Sequence, residues 1–135
     1  MRLYLINPFN SLVSITKVKE SRWNKHRIWK PLSLLVVAAL TPPEWDITVV
    51  DENLGVPDYT AMPRPDLVGI TAFTSQADRA YTVAAEFRSR GVPVVMGGIH
   101  ATICLRKPLS GWMPWWWVKQ RASGGRFWKT PGKAL

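Results

Sequence analysis

The sequence predicts an α/β domain in which helices cover both faces of a parallel sheet. Short segments rich in Val and Ile alternate with segments of helical periodicity, in the order strand, helix, strand, strand, helix, strand. The most informative stretch is residues 92–102, Val-Pro-Val-Val-Met-Gly-Gly-Ile-His-Ala-Thr. Its apolar run is typical of a strand buried on both faces, and its glycines stand where open α/β sheets bind ligands, beyond a strand's carboxyl end. A Gly-Gly turn that only reverses the chain explains the same residues equally well.

The composition bounds the class of protein. A chain of 135 residues is long enough for one domain with a hydrophobic core, and no apolar run approaches the ~20 residues that span a membrane. The amino terminus lacks the apolar region and the cleavage site of a signal peptide. The single cysteine, Cys104, excludes an internal disulfide and cannot by itself hold a metal or an iron–sulfur cluster. We therefore expect a cytoplasmic protein.

The first predicted strand, residues 3–6, ends at Asn7-Pro8, because the residue before a proline is driven out of the helical region. Residues 10–30 are predicted to form a long loop in which basic and aromatic side chains are interleaved. These side chains could bind anions or stack on bases, and a simply solvated loop is the favoured alternative. Residues 31–40 are predicted to be a helix, since Pro31 stands near its first turn and Thr41-Pro42 ends it. This helix is apolar on almost every side, so we expect it to pack deep against the sheet.

Residues 45–50 are predicted to be the second strand, because they are β-branched and alternate in polarity. The acids Asp51 and Glu52 follow directly. A pair of acids at a strand end can hold a ribose hydroxyl or a metal ion, and simple exposure to solvent is the alternative.

The second half of the chain repeats the strand–helix–strand order. We predict a third strand at residues 66–71, a helix at residues 76–90 with Thr74 or Ser75 as its N-cap, and a fourth strand from residue 92. Gly91 ends the helix. The predicted fold is therefore a flavodoxin-like (Rossmann-like) doubly wound parallel sheet. It has four of the roughly five strands usual for that class, and an irregular carboxyl-terminal tail follows.

The residues that can carry chemistry lie at the strand ends. The sequence contains no nucleophile–base constellation, no metal cluster, no P-loop and no G-x-G-x-x-G after the first strand. A phosphoacceptor domain would need an aspartate where this chain has Thr71. Small and hydroxyl-bearing residues instead follow successive strands, at residues 7–8, 71–75 and 97–102. Such a set suits the binding of a large, neutral or weakly anionic cofactor better than it suits catalysis.

Five motifs in order carry a resemblance to a known family. They are a strand ending in Asn-Pro, Pro-Leu-x-Leu-Leu-x-x-Ala-Ala, Ile-Thr-Val-Val-Asp-Glu, Asp-Leu-Val-Gly-Ile-Thr and Val-Met-Gly-Gly-Ile-His-Ala-Thr. Together, over residues 3–105, the chain resembles the amino-terminal cobalamin-binding domain of cobalamin-dependent radical S-adenosylmethionine enzymes, which are often methyltransferases. The resemblance implies that a corrinoid lies across the strand carboxyl ends, with its nucleotide tail between the loop after the third strand and the Gly-Gly turn.

The resemblance also assigns roles to residues. Thr74 and Ser75 would contact the nucleotide tail, Gly97 and Gly98 would let it pass, and Asn7, Pro8 and His100 would line the edge of the site. The full set of implied cofactor-binding residues is Asn7, Pro8, Thr71, Phe73, Thr74, Ser75, Gly97, Gly98, His100 and Thr102.

Two motifs of related proteins are absent from this sequence. There is no Asp-x-His-x-x-Gly after the first strand, so that loop offers the cobalt no imidazole. There is no Cys-x-x-x-Cys-x-x-Cys to hold an iron–sulfur cluster. By itself the chain is therefore not expected to be an enzyme, and its expected partner is a radical S-adenosylmethionine catalytic domain.

The tail differs in composition from the rest of the chain. Residues 1–105 carry a net charge of +2, whereas residues 106–135 carry +7, no acid and five of the eight tryptophans. Read one base out of frame, the codons for residues 112–118 give Asp-Ala-Val-Val-Val-Gly, where one intervening codon can be Val and the others are fixed. This product has the pattern of a buried fifth strand. We therefore interpret residues 1–105 as a partial domain and residues 106–135 as an out-of-frame, disordered tail.

The alternative is that the tail is genuine. Its charge and tryptophans, with the basic loop at residues 10–30, would then favour binding to nucleic acid or to an anionic membrane surface. A small-molecule enzyme on the same sheet is a third class, but the sequence contains no visible catalytic group for it.

Overall fold

A computed structural model describes residues 1–10 and 30–103. Its single sheet contains four parallel strands, β1 (Arg2–Asn7), β2 (Asp46–Asp51), β3 (Leu67–Thr71) and β4 (Val94–Gly97). The strand order is β2-β1-β3-β4. The helices are α1 (Leu32–Leu40), α2 (Ala77–Ser89) and α3 (Gly98–Ile103), and a 3₁₀ turn at Thr74–Gln76 leads into α2.

The strand order confirms the predicted class of fold. The chain steps from β1 outward to β2, returns to β3 on the other side of β1, and continues outward to β4. The winding direction therefore changes between β1 and β3. An open, doubly wound sheet of this kind is Rossmann-like, and it places its ligand site at the carboxyl ends of the strands.

The helices lie on opposite faces because side chains alternate along each strand. From β1, Leu3 and Leu5 point towards α1 and pack with Leu34. Tyr4 and Ile6 point the other way and join the larger core beneath α2. All five of these side chains are buried.

The larger core is organised around Phe87 of α2, which is completely buried. Its ring meets Tyr59 edge-on at 5.0 Å and Tyr4 at 6.3 Å between ring centroids. Ala80 and Ala84 lie on the same buried side of α2, and their small side chains let the helix approach the sheet closely. Burying one such aromatic ring stabilises the fold by roughly 1.5–3 kcal/mol.

Helix α1 forms where it was predicted, but the expectation that it packs deep against the sheet is wrong. Leu34 is its only buried residue, while the side chains of Leu32 and Leu40 are 69% and 74% exposed. The helix packs one stripe of side chains against β1 and β2, and no other described element packs in quantity on its outer side. An apolar sequence shows that the side chains of a helix are suited to burial. It does not show how many of them other parts of the fold cover.

The start of α2 also differs from its prediction. No side chain of Thr74 or Ser75 caps the helix, because both residues belong to the 3₁₀ turn, and Gln76 occupies the position before the first residue of α2. Gly91 does end the helix as predicted, with a positive φ of 68° and its N–H donated to the carbonyl oxygen of Arg88 at 2.9 Å.

Predictions for residues 11–29, Cys104 and the tail at residues 106–135 lie outside the described residues. Within the described ranges, no helix combines the length and apolarity needed to cross a membrane.

Candidate functional site

The predicted site residues gather at one edge of the sheet. Parallel pairing places Asn7 of β1 beside Asp51 of β2, and Thr71 of β3 beside Gly97 of β4. We call this edge the rim. It consists of the residues that form and follow the strand ends, namely residues 7–10, 71–76 and 97–102. The strand ends that carry the predicted site residues therefore lie at the same edge of the sheet, and the binding role of these residues stays a prediction.

Asn7 is buried at the end of β1, and its side chain is used on both sides. Its amide nitrogen donates to Oδ1 of Asp51 at 3.0 Å, and its amide oxygen accepts from Nε2 of Gln76 at 3.1 Å. Asn7 thus connects three segments of the rim. A ligand at this position would meet the backbone or would displace one of these bonds.

Gln76 is a functional candidate that the sequence did not reveal. Its buried amide donates to Asn7 and also to the carbonyl oxygen of Pro8, while its oxygen accepts the N–H of Phe73 at 3.0 Å. A second bond, from Nδ2 of Asn10 to Oγ of Ser75 at 3.2 Å, joins the same two loops. The loops after β1 and β3 are therefore tied together directly. A lone glutamine at the start of a helix carries no sequence signal for such a role.

Glu52 corrects one sequence expectation. Its side chain is completely buried and accepts hydrogen bonds from the N–H of Phe9 at 2.9 Å, the hydroxyl of Tyr59 at 3.0 Å, and Nε and Nη2 of Arg79 at 2.9 and 2.6 Å. The expectation that this acid is exposed to solvent is therefore wrong. Both carboxylate oxygens are occupied, so Glu52 has no free position for a metal ion or a ribose hydroxyl. Nowhere in the described parts do three or more His, Cys, Asp or Glu side chains form a group that could hold a metal ion.

The charge of Glu52 acts on its two neighbours. The hydrogen bonds from Arg79 to this carboxylate raise the pKa of the guanidinium, and the group stays charged. Burial first, and then the negative charge of Glu52, raise the pKa of the Tyr59 hydroxyl well above its usual range. Tyr59 is therefore a fixed donor to Glu52 at neutral pH.

Asp51 and Asn53 complete the connection between β1 and β2. Oδ1 of Asp51 accepts from the backbone and side-chain nitrogens of Asn53 at 3.0 and 2.8 Å. Asn53 in turn donates to the carbonyl oxygen of Pro8 at 3.3 Å and accepts the N–H of Asn10 at 2.8 Å. The loop after β1 is thus held on one side by β2 and on the other by the start of α2.

Gly98 stands where the loops after β3 and β4 meet. Its φ is +88°, and a Cβ built on it would stand 2.7 Å from the carbonyl oxygen of Ala72 and 2.9 Å from Oγ1 of Thr71. The same two loops share hydrogen bonds of 3.1 Å from Ala72 N–H to Gly97 and from His100 N–H to Ala72. The space beside Gly98 is therefore filled by the protein's own backbone. In this conformation a cofactor tail would pass over this contact rather than through it.

His100 is a buried residue of the rim. Its ring is buried, Nε2 is 2.8 Å from the hydroxyl of Tyr81 on α2, and the two rings meet edge-on at 5.7 Å. Its neighbour Thr102 donates its hydroxyl to the carbonyl oxygen of Gly98 at 3.1 Å, within α3. A direct contact between His100 and a cofactor stays a prediction, and it would require this pairing to open or the other ring nitrogen to be used.

Other rim residues face outward. Phe73 and Ile99 are 48% and 54% exposed, and Thr74, Ser75 and Thr102 are exposed beside them. The rim thus presents an aromatic ring, an aliphatic side chain and several hydroxyls on a rigid base. Apolar side chains with a few placed polar groups are typical of sites for organic ligands. This set of residues can bind and orient a ligand, and it includes no nucleophile with an adjacent base.

The fold defines a doubly wound α/β domain, and comparisons with known proteins show what it is similar to. Over 79 residues the chain is 46% identical to a bacteriochlorophyllide d C-8(2)-methyltransferase of Chlorobaculum tepidum. It is 34% identical over 73 residues to the C-12(1)-methyltransferase of the same organism. It is also 41% identical over 80 residues to an uncharacterized methyltransferase of Pyrococcus horikoshii.

These matches cover 53–54% of this chain and only 16–17% of each relative. About half of the chain is therefore homologous to one part of much longer methyltransferases. No protein-family model matches the chain, and no solved structure matches it significantly.

Proposed function

We propose that this chain binds a corrinoid cofactor, cobalamin, on the rim, and that it serves as the cofactor-binding part of a radical S-adenosylmethionine methyltransferase. The observation that carries the proposal is the similarity to methyltransferases, with 46% identity to one of them over 79 residues, in a chain whose rim has binding groups but no catalytic ones. The ordered motifs at the strand ends support the same reading.

The rim residues fit the chemistry of a corrinoid. The exposed ring of Phe73 and the side chain of Ile99 offer apolar contact to a large flat macrocycle. Thr74 and Ser75 offer hydroxyls to its amide side chains and nucleotide tail. Nε2 of His100 is paired with Tyr81, so we expect the cobalt to receive no imidazole from this residue.

In this proposal, binding and catalysis belong to different parts of a longer protein. When bound, the corrinoid supplies a cobalt centre that can carry a methyl group. The residues of this chain bind and orient the cofactor and shield one of its faces. The single cysteine of the sequence cannot hold the iron–sulfur cluster of radical chemistry, so that chemistry would reside in a separate catalytic domain.

The test is a titration of the full chain with hydroxocobalamin, followed by its visible spectrum. We expect a saturable spectral change with one cofactor per chain. Phe73→Ala should weaken binding by about fivefold to tenfold, because a lost aromatic contact is worth about 1 kcal/mol or more. Leu40→Ala, which removes an exposed leucine at the far end of α1, should leave the Kd within about twofold of the wild type.

A wild-type chain that is folded and shows no spectral change at saturating cofactor would contradict the proposal. Equal weakening by both variants would show that the contact is not at the rim. Steeply salt-dependent binding of nucleic acid without corrinoid binding would favour the alternative function instead.

A further inference from the structure

The buried carboxylate of Glu52 requires an explanation beyond the fold. A charged side chain with no solvent exposure is expensive to bury, and even a paired one is a weak source of stability, since apolar replacements of buried ion pairs are often neutral or better. Glu52 is nevertheless held by donors from three segments: Phe9 after β1, Tyr59 in the loop after β2, and Arg79 in α2. These bonds hold part of the loop after β1 in place.

They hold one peptide group. The carbonyl oxygen of Pro8 and the N–H of Phe9 belong to the same peptide plane. The N–H is donated to Oε2 of Glu52 at 2.9 Å, and the carbonyl oxygen accepts from Gln76 and from Asn53. The side chain of Glu52 therefore binds the N–H of this peptide, while the side chains of Asn53 and Gln76 bind its carbonyl oxygen. This Pro8–Phe9 peptide comes one residue after Asn7, the last residue of β1, and it belongs to the rim.

Arg79 extends the same arrangement to the other loop of the rim. It lies three residues after Gln76, so both side chains project from about the same face of the start of α2. Gln76 also accepts the N–H of Phe73, whose ring is exposed at the rim. The ion pair of Glu52 and Arg79 thus fixes α2 against the end of β2, and with it the distance between the loops after β1 and β3.

We propose that Glu52 is a positioning residue: with Arg79 it sets the orientation of the Pro8–Phe9 peptide and so the affinity of the rim for its ligand. This inference rests on the proposed function for the identity of the ligand, a corrinoid. Glu52 does not contact the ligand, and it acts through the backbone of the loop after β1. Fixing a loop in its binding conformation improves affinity because less ordering is left to do on binding.

The first variant for the test is Glu52→Gln. The wild-type carboxylate faces donors only, from Phe9, Tyr59 and Arg79. A glutamine of the same shape has no charge, and since each carboxylate oxygen accepts from one nitrogen of Arg79, either orientation of the amide turns its NH₂ group towards that guanidinium. The ion pair is therefore lost and the hold on the Phe9 peptide is weakened, while the volume is conserved. The control is Val92→Ala. This buried residue stands just before β4, at the amino-terminal ends of the strands and away from the rim. The substitution should lower the Tm without touching the rim.

Three quantities are measured on the full chain: the Kd for hydroxocobalamin, the hydrogen-exchange rate of the Phe9 amide without cofactor, and the Tm. At a temperature well below the Tm of the variant, Glu52→Gln should raise the Kd about tenfold and should speed exchange at the Phe9 amide by about tenfold or more. Val92→Ala should change both by less than about twofold for a similar loss of Tm. If Glu52→Gln does not fold, Arg79→Lys, at a partly exposed position, should raise the Kd by about threefold because it keeps the charge and loses the fork.

Each outcome is decisive. An unchanged Kd in folded Glu52→Gln, or an equal rise in Val92→Ala, would overturn the inference, since the effect would then be absent or a consequence of lost stability. A Phe9 amide as protected in Glu52→Gln as in the wild type would overturn it as well. If the wild type binds no corrinoid, the proposed function fails and the affinity claim fails with it. Exchange at Phe9 would then decide separately whether Glu52 fixes the peptide.

Discussion

Gly98 and Ala72 are in contact so close that the strand ends would have to separate to admit any side chain between them. A Cβ on Gly98 would stand 2.7 Å from the oxygen and 2.9 Å from the nitrogen of Ala72. Gly98 also has a φ of +88°, a conformation that residues with a side chain rarely adopt. The glycine is therefore required by the packing of the loops after β3 and β4, whatever binds above them.

The first prediction concerns this glycine. Gly98→Ala should lower the free energy of unfolding by about 2–4 kcal/mol, from backbone strain and overpacking together. Gly55→Ala is the matched control, because nothing lies within 4 Å of its Cβ position, and it should change stability by less than about 0.5 kcal/mol. Urea unfolding measures both. Equal stabilities would contradict this prediction and would show that the loops after β3 and β4 separate easily enough to admit a side chain.

The second prediction concerns α1. Leu40→Gln should change the free energy of unfolding by less than about 0.5 kcal/mol, because the side chain is 74% exposed. Leu34→Ala should cost about 2–4 kcal/mol, because this is the one side chain of α1 buried against Leu3 and Leu5. Thermal and urea unfolding of the two variants measure the difference. A large loss in Leu40→Gln would mean that another part of the chain covers this end of α1.

The third prediction concerns Gln76. Gln76→Glu should destabilise the fold by about 2 kcal/mol at neutral pH, because a carboxylate oxygen would replace the NH₂ group that donates to Asn7 and Pro8. Ala85→Glu adds the same charge on the exposed side of α2 and should cost less than about 0.5 kcal/mol. Chemical unfolding at neutral pH separates the two cases. Similar losses would mean that the added charge on the helix matters and the connection to the loop after β1 does not.

The order of strands and helices, and the residues that share the rim, could be predicted from the sequence because both depend on local pattern. Apolar segments with turn residues at their ends fix the strands, and parallel strands bring their carboxyl ends to one edge. The roles of Glu52 and Gln76 could not be predicted, because their partners Arg79 and Asn7 lie 27 and 69 residues away in the chain. The exposure of α1 was missed for a similar reason. Its covering depends on how the sheet is arranged, which the apolar run itself does not encode.

The fourth prediction concerns the reading frame of the tail. The resemblance to cobalamin-dependent radical S-adenosylmethionine enzymes implies a fifth strand that is followed by Gly-Glu-x-Glu and, later, by Cys-x-x-x-Cys-x-x-Cys. DNA sequencing through the codons for residues 103–128, and about a kilobase beyond, should show both motifs in the shifted frame. The reason is that one shift accounts together for the net charge of +7 and the five tryptophans of residues 106–135, and that its product, Asp-Ala-Val-Val-Val-Gly, has the pattern of a buried strand. A shifted frame that closes quickly would contradict this and would favour the basic, tryptophan-rich tail as a genuine binding segment.

The last prediction follows from the burial of Tyr59. Tyr59→Phe removes one hydrogen bond to Glu52 and should lower the free energy of unfolding by about 1 kcal/mol at neutral pH. Because folding raises the pKa of this hydroxyl, its contribution is fully present below the ordinary value of 10.0 and is lost as the pH rises above it, when the unfolded chain ionises. The wild type should therefore lose stability above that pH more steeply than Tyr59→Phe, by up to about 1.4 kcal/mol per pH unit. Unfolding curves at several alkaline pH values measure the two slopes, and parallel slopes would show that the Tyr59 hydroxyl ionises as easily in the folded protein as in the unfolded chain.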